Sequence, residues 1–271
     1  MTLETPGWTA IVLAGQRPGV DPLAAHFGEA WKALVPIAGV PMVTRVVETL
    51  ASVPEISRIL VLAQEPGVLA GAVQVAEKAD ILTSGSGIST SILTHAGGDA
   101  APWPVLVTTA DHPLLTAAMV RHFLNDAQQS GVDIAIGMVE QKVMQQAYPD
   151  NRRTWLRFAD GAWSGANLFA LAGPEARAAL LLWAEAEQDR KKAWKLFLHF
   201  GPWLAMRALT RTIGLGSALK KAGRRLGLKA GLVPLPMAEA AIDVDKPSDH
   251  ALAETILLAR SDQPKPAGHR A

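Results

Sequence analysis

The sequence contains no cysteine and carries almost no net charge. Its 271 residues include 26 Lys and Arg against 25 Asp and Glu, which gives a formal net charge of +1. The absence of cysteine excludes disulfides and thiolate metal sites, and it fits a cytoplasmic protein. Because no overall positive field surrounds the chain, we expect no nucleic-acid partner.

Long hydrophobic segments are missing as well. The N-terminal stretch has neither the basic start nor the apolar core of a signal peptide, and no uncharged apolar run reaches the roughly 20 residues that cross a bilayer. Apolar residues still make up 49% of the chain and charged residues 19%, which suffices for a large core. We expect a single domain over residues 1–262 and a flexible tail over 263–271.

Strand and helix patterns alternate along the chain, which predicts a mostly parallel mixed α/β sheet with helices on both faces. The turn signal Asp160-Gly161 within 153–171 predicts a hairpin and hence an antiparallel element. Apolar runs predict strands over 8–14, 59–63, 81–82, 105–109 and 134–139. Helices are predicted over 41–52, 116–130, 174–187 and 248–260.

The first strand leads into a loop that suits a polyphosphate. The run Ile11-Val12-Leu13 ends at Ala14-Gly15, where a small-residue loop leaves backbone N–H groups accessible. Arg17 and Lys32 add positive charge beside these donors. The stretch contains neither a Walker motif nor G-x-G-x-x-G, so an ordinary strand–loop–helix start is the alternative.

This opening resembles the signature of the MobA-like nucleotidyltransferases, a family that is similar to molybdenum-cofactor and sugar-phosphate nucleotidylyltransferases. The signature is LAGG, then Arg, then Lys-x-Leu-x-Pro-x-x-Gly-x-Pro-Met. The matching residues are Leu13-Ala14-Gly15, Arg17, Lys32, Leu34, Pro36, Gly39 and Pro41-Met42. Gln16 replaces the usual second Gly, and the gap from Arg17 to Lys32 is long. The resemblance extends over 9–172 and 241–260 and implies a Rossmann-like, GT-A-type fold.

The resemblance also implies which residues bind the nucleotide. Arg17 and the loop amides would hold the β- and γ-phosphates, while Lys32 would neutralise the α-phosphate or the acceptor. The loop at 83–92 resembles the family stretch that contacts the nucleobase, although a plain helix-capping loop is the alternative. The nucleotide-binding candidates are Leu13, Ala14, Gly15, Gln16, Arg17, Lys32, Gly85, Ser89 and Ser91.

Two aspartates are candidate metal ligands. Asp111 follows the apolar strand VLVTT, at the sheet edge where ligands collect in open α/β folds. A carboxylate there is suited to Mg²⁺, or Mn²⁺, against substrate phosphates. By the resemblance, Asp111 binds the catalytic metal and Asp245 is the second ligand, with Asp243 in reserve. Turn formation and helix capping are the structural alternatives.

The acceptor side is indicated by Gly165 and Asn167, which match the family's Gly-Gly-Asn except that Ala166 replaces the second Gly. The resemblance places this motif near the acceptor phosphate or sugar. Arg153, with Arg152, lies just upstream and either binds an anionic acceptor or contributes surface charge.

Residues 190–230, within a predicted helical insertion over 186–232, form a basic segment rich in tryptophan and other large apolar residues. They include eleven Lys and Arg and no Asp or Glu, with Trp, Phe and Leu between them. Breaks are expected at Gly201-Pro202, Gly214 and Gly216. Three interpretations stay open: an insertion packed on the main domain, a lid or peripheral contact with the inner membrane surface, or a grip on an anionic acceptor.

Together these motifs predict a Mg²⁺-dependent nucleotidyltransferase. It would move a nucleoside monophosphate from a nucleoside triphosphate to a phosphorylated small-molecule or lipid-linked acceptor and release pyrophosphate. One alternative is a glycosyltransferase that uses a nucleotide-sugar, but such enzymes usually carry Asp-x-Asp, which Thr109-Ala110-Asp111 lacks. The other is a non-catalytic nucleotide-binding or membrane-associated scaffold, which the substitutions Gln16 and Ala166 keep open.

Overall fold

One eight-stranded sheet organises the protein, as shown by a computed structural model that describes residues 7–16, 18–188 and 201–261. The strands are β1 (Trp8–Leu13), β2 (Pro36–Ile37), β3 (Val40–Pro41), β4 (Ile56–Ala63), β5 (Ala79–Thr83), β6 (Val105–Thr109), β7 (Ile134–Glu140), β8 (Leu156–Phe158), β9 (Gly161–Leu171) and β10 (Ala230–Pro234). The short strands β2 and β3 form a separate hairpin.

The strand order is β10-β7-β9-β6-β1-β4-β5, and β8 pairs with β9. All neighbours are parallel except β9, which runs antiparallel to β6, β7 and β8. β4 and β5 lie on one side of β1, and β6, which follows them in the chain, lies on the other side of β1. The strand order thus reverses between β1 and β6, and open α/β sheets bind ligands outside the carboxyl ends of the strands at such a point. The predicted hairpin at Asp160-Gly161 is confirmed.

Helices cover both faces of the sheet, as the sequence predicted. In β1, Ile11 belongs to one apolar cluster with Ile92 and Leu180, whereas Val12 belongs to the opposite cluster with Phe123. Successive strand residues point to opposite faces, so burial of both shows that each face is covered. The helices are α1 (Pro22–His26), α2 (Met42–Ala51), α3 (Pro66–Val73), α4 (Ile88–His95), α5 (Ala117–Ser130), α6 (Gln141–Ala147), α7 (Arg177–Gln188), α8 (Pro202–Leu209), α9 (Leu215–Arg225) and α10 (Pro247–Ser261).

The structure corrects two expectations near the end of the basic segment. Gly216 does not break a helix: α9 begins at Leu215, whose amide donates to Oδ1 of Asp160 at 3.0 Å. Gly216 falls in the first turn of α9 and is followed by two further turns of helix. The second correction is β10, an edge strand paired with β7, which the sequence analysis did not predict.

Parts of the predicted organisation lie outside the described residues, namely 189–200 and the tail at 263–271. The domain boundaries therefore stay a prediction. In the described part of the basic segment, α9 packs through Leu215 and Leu219 onto Met138 and Trp163 of the sheet. Within the residues that the structure describes, no helix is long and apolar enough to cross a membrane.

Candidate active site

The centre of the candidate site lies where β1 and β6 end. The amide of Ala110 donates to the carbonyl of Leu13 at 3.0 Å, so the two strand ends are joined. Asp111 follows immediately. The amide of Val244 donates to the carbonyl of Asp111 at 2.9 Å and brings the segment before α10 to the same point. The fold thus places Asp111 close to Asp245, although they are far apart in sequence.

Lys32 bridges these two aspartates. It begins a short 3₁₀ turn (Lys32–Leu34), and its Nζ lies 2.6 Å from Oδ2 of Asp111 and 2.5 Å from Oδ1 of Asp245. Burial alone would lower the pKa of Lys32, but the carboxylates of Asp111 and Asp245 outweigh burial and raise that pKa above its usual value. Lys32 therefore remains an ammonium, and the cluster of one cation and two carboxylates has a net negative charge.

The aspartate pair fits a divalent cation. Oδ1 of Asp111 is buried and has no hydrogen-bond partner among the described residues, which leaves one hard oxygen donor available. Within the same residues, no group of three or more His, Cys, Asp and Glu side chains is placed to hold a metal. Mg²⁺ favours coordination by one or two carboxylates, with substrate phosphates and water as its remaining ligands. Asp111 and Asp245 are thus suited to a metal that arrives with a nucleotide.

Gln16, the departure from the family signature, fixes the loop after β1. Its Oε1 accepts from the amide of Lys32 at 3.0 Å, and its Nε2 donates to the carbonyl of Ala30 at 3.2 Å. Gln64, which follows β4, donates to the carbonyl of Gln16 at 2.8 Å. The Gln16 side chain therefore holds the backbone at Lys32 in place. Arg17 lies outside the described residues, and its phosphate role stays a prediction.

The loop amides are less available than the sequence suggested. The amide of Ala14 donates to the carbonyl of Leu62 at 2.9 Å, which extends the pairing of β1 with β4. The amide of Gln16 donates to Oε1 of Gln64 at 3.2 Å. A Cβ atom on Gly15 would lie only 3.0 Å from Nε2 of Gln64, so glycine lets Gln64 approach. Gln64 was missed because its sequence position reveals nothing of this long-range contact.

The loop expected to contact the nucleobase is shaped by its own hydroxyl groups. The amide of Gly85 donates to Oγ of Ser91 at 2.9 Å, and Oγ of Ser91 donates to the carbonyl of Gly87 at 2.5 Å. The amide of Gly87 donates to Oγ1 of Thr90 at 2.8 Å. Ser91 is buried. Its hydroxyl is therefore committed within the loop.

Glu187 of α7 anchors the same loop from outside it. Its carboxylate accepts from both the amide and the hydroxyl of Ser89 at the start of α4. A carboxylate at this position satisfies otherwise unpaired helix N–H groups and complements the helix dipole. A Cβ atom on Gly87 would lie 2.8 Å from Oε2 of Glu187, so glycine admits the contact. The sequence gave no signal that would pair residues so far apart.

On the acceptor side, Arg153 pairs with Asp243. Its guanidinium donates to Oδ1 of Asp243, and both side chains are largely buried. This pair argues against two expectations: Asp243 as a reserve metal ligand, and Arg153 as a free acceptor-binding cation. Each neutralises the other, and pulling them apart would leave a desolvated charge. Asp245, whose side chain faces Lys32 instead, is the better-placed second ligand.

Gly165 and Asn167 lie on β9, which pairs with β6, the strand that precedes Asp111. Ile136 pairs with Phe169 and Met138 with Gly165, so three residues of β9 face a single residue of β7. This bulge puts Asn167 in the left-handed region, with φ of 51°, which Asn tolerates better than most residues. No hydrogen bond in the described structure joins either residue to the Lys32 cluster, so their acceptor role stays a prediction.

Comparison with known proteins assigns the class. A family model described as the MobA-like NTP transferase domain matches residues 10–198. The chain belongs to this family and is a nucleotidyltransferase. Among curated proteins, no match is found.

Solved structures agree with this assignment. A structure titled as a hypothetical transferase from Thermus thermophilus is 30% identical, with a TM-score of 0.74, covering 90% of this chain and 99% of that one. The 4-diphosphocytidyl-2C-methyl-D-erythritol synthase from Anaerococcus prevotii is 11% identical (TM-score 0.56; 93% and 96% covered). CMP:2-keto-3-deoxy-manno-octonic acid synthetase, complexed with CTP, is 16% identical (TM-score 0.57; 94% and 100% covered). The two distant likenesses show the fold, and the predicted Rossmann-like nucleotidyltransferase fold is confirmed.

The contact between Glu187 and Ser89 yields a stability prediction. In a double-mutant cycle of Glu187→Gln and Ser89→Ala, we expect a coupling free energy of about 1–2 kcal/mol, because hydrogen bonds to a carboxylate are stronger than neutral ones. Urea unfolding of the four proteins measures it. Glu185→Gln, on the exposed side of the same helix, is the matched control and should not couple to Ser89→Ala. Additivity of the first pair would contradict the anchoring role.

Proposed function

We propose that the protein is a Mg²⁺-dependent nucleotidyltransferase that transfers a nucleoside monophosphate from a nucleoside triphosphate to a phosphorylated acceptor. The observation that carries the proposal is the Lys32 ammonium between Asp111 and Asp245, beyond the carboxyl ends of β1 and β6. A cation held by two carboxylates at this edge supplies what a reacting triphosphate needs, namely charge neutralisation and fixed positioning. Mn²⁺ is the alternative metal.

The chemistry requires no protein nucleophile. An oxygen of the acceptor phosphate attacks the α-phosphorus, a new P–O–P linkage forms, and the bond to the β-phosphate oxygen breaks to release pyrophosphate. A phosphate monoester is already ionised near pH 7, so no general base has to remove a proton. The protein's contribution is to align the two phosphates and to offset their negative charge.

Each residue of the cluster has a distinct part in this scheme. Lys32 donates hydrogen bonds to oxygens of the α-phosphate or the acceptor, turning from the carboxylates that it contacts without substrate. Asp111 and Asp245 hold the metal, which when bound neutralises charge on both substrates and orients them. Gln16 keeps the Lys32 backbone fixed while the side chain changes partners. Arg17 is proposed to hold the β- and γ-phosphates.

The two rival functions account for less of this site. A nucleotide-sugar glycosyltransferase shares the fold class, but the strand-end sequence Thr109-Ala110-Asp111 lacks the usual Asp-x-Asp, and the family is one of NTP transferases. A non-catalytic scaffold would have no need for the Lys32 cluster. In the sequence, the replacement of the family's second Gly by Gln16 kept the scaffold alternative open. In the structure, the Gln16 side chain positions the backbone of Lys32.

Asp111→Ala tests the metal assignment. We expect transfer to fall by at least roughly 10²–10³-fold, because a preorganised charge at the reacting phosphates is lost, and Mg²⁺-dependent binding of the triphosphate to disappear. Pyrophosphate release and thermal shift with and without Mg²⁺ measure the two effects. Asp80→Ala, at an exposed position on the edge strand β5, is the control. Normal turnover in Asp111→Ala would contradict the assignment.

We also propose that the enzyme works in the cytoplasm and touches the inner membrane surface through the basic segment. Trp203, Met206 and Leu209 lie three residues apart on α8 and are 65%, 45% and 85% exposed. This spacing puts them on one side of the helix. Arg207 lies on the same helix, and Arg211 follows the helix by two residues. Exposed apolar residues with interspersed cations are typical of helices that bind anionic lipid, and such a contact would suit a lipid-linked acceptor.

Leu209→Ser tests this contact. We expect it to weaken co-sedimentation with vesicles of phosphatidylcholine and phosphatidylglycerol by roughly 10- to 150-fold, because burial of one leucine contributes roughly 1.5–3 kcal/mol. The matched control is Leu258→Ser on α10, where the leucine is 52% exposed, and it should bind as the wild type does. Equal binding to neutral vesicles, or unchanged binding of Leu209→Ser, would contradict the proposal.

A further inference from the structure

An ion pair lies directly beside one of the proposed metal ligands in the chain. Arg153 belongs to the loop between α6 and β8, and its guanidinium donates to Oδ1 of Asp243. The two side chains are only 14% and 26% exposed. Asp243 is two residues before Asp245, so the pair ties the loop after α6 to the chain segment that carries Asp245.

The position of Asp245 depends on its neighbours in the chain. Its own side chain is 65% exposed, so close packing does not fix it. Val244 is fully buried, and its amide donates to the carbonyl of Asp111 at 2.9 Å. The contact between Arg153 and Asp243 fixes the residue just before Val244. The backbone that leads into Asp245 is therefore held by the end of β6 and by Arg153.

Arg153 has no second polar contact that would explain its burial. Within the described ranges 7–16, 18–188 and 201–261, the one hydrogen bond of its side chain is the bond to Asp243. Its Nε is buried and has no partner among the same residues. Because removing a guanidinium from water is costly unless a charged partner compensates, the contact with Asp243 is the interaction that balances the burial of this arginine.

Asp243 lies on the same side of the chain as Asp245. Burial alternates along this segment, with Ile242 and Val244 in the core and the two aspartates outside it. Ile242 has extended backbone angles, and in extended chain alternate side chains point to the same side. An unpaired Asp243 would therefore offer a cation a second carboxylate beside that of Asp245. The charge of Arg153 neutralises Asp243 and leaves Asp245 as the metal ligand of this segment.

We infer that Arg153 is a positioning residue for the divalent metal. Through Asp243 it fixes the backbone that carries Asp245, and it occupies the carboxylate that would compete for the cation. Arg153 contacts neither the metal nor the substrates, so it acts on the affinity for the metal. This inference rests on the proposed function, in which Asp111 and Asp245 hold Mg²⁺. Mutation of a residue that supports a metal ligand from behind typically lowers metal affinity by roughly 10–100-fold.

Thermal shift measures the metal affinity without turnover. Each protein is titrated with Mg²⁺ in the presence of the α,β-methylene analogue of ATP, CTP, GTP or UTP that stabilises the wild type most. We expect Arg153→Ala to need roughly 10–100-fold more Mg²⁺ for its half-maximal shift. Arg153→Lys should need less Mg²⁺ than Arg153→Ala, because an ammonium keeps the charge but not the planar fork of the guanidinium. Arg157→Ala, at an exposed position on β8, is the matched control and should titrate as wild type does.

A double variant separates positioning through Asp243 from an independent effect of Arg153. Because the arginine acts through Asp243, Arg153→Ala combined with Asp243→Ala should weaken Mg²⁺ binding no more than the stronger single change does. Urea unfolding of each protein establishes that it is folded. Arg153→Gln and Asp243→Asn, which are closer in size to the native residues, replace the alanine variants where these do not fold, and the same results are expected of them.

Three results would overturn the positioning role. They are wild-type Mg²⁺ dependence in the folded Arg153 variants, an equal loss in Arg153→Lys and Arg153→Ala, and losses that multiply in the double variant. Absence of any Mg²⁺-dependent shift of the wild type with all four analogues would instead contradict the proposed function. The two failures are distinguishable, because the second is already seen in the wild type.

Discussion

The ion-paired contact of Lys32 with Asp111 and Asp245 is the interaction on which the rest of the site depends. It joins three segments that are distant in sequence: the turn after α1, the end of β6 and the chain before α10. Because one ammonium faces two carboxylates, the cluster keeps a net negative charge and can admit a further cation. In the proposed reaction, substrate phosphates would pair with Lys32, and Asp111 and Asp245 would hold Mg²⁺, so each charge would keep a partner.

The sheet order places the two predicted substrate regions on either side of this cluster. The loop expected to contact the nucleobase follows β5 at one edge of the sheet, whereas Gly165 and Asn167 lie on β9, on the other side of β6. Because β5, β1, β6 and β7 are all parallel, their carboxyl ends share one side of the sheet. In the proposed reaction, donor and acceptor would meet at Lys32. Glu187 fixes the start of α4 and Asp249 fixes the turn that carries Asp245, each through a backbone amide.

Local patterns were enough to predict the features that depend on strand ends. Asp111 could be found because an apolar run predicts a strand, and the carboxyl end of a strand predicts the ligand side. Lys32 was found instead through the resemblance to the family signature Lys-x-Leu-x-Pro. The resemblance ranked Asp245 above Asp243, and the structure adds a physical reason that local patterns could not supply, since Arg153 neutralises Asp243. Glu187 was not predictable for a similar reason: its partner is selected by how α7 packs against α4. The edge strand β10 was not predicted because a short run that contains Gly and Pro has a low strand propensity.

The most direct test of the central claim is a thermal-shift panel of ATP, CTP, GTP and UTP on the wild-type protein, each with and without Mg²⁺. A ligand at about a hundredfold excess over its Kd stabilises the native state by about 2.7 kcal/mol. The account predicts that at least one triphosphate produces a shift that requires Mg²⁺, which would also identify the donor base. No shift with any triphosphate, or a shift of equal size without the metal, would contradict the role assigned to Asp111 and Asp245.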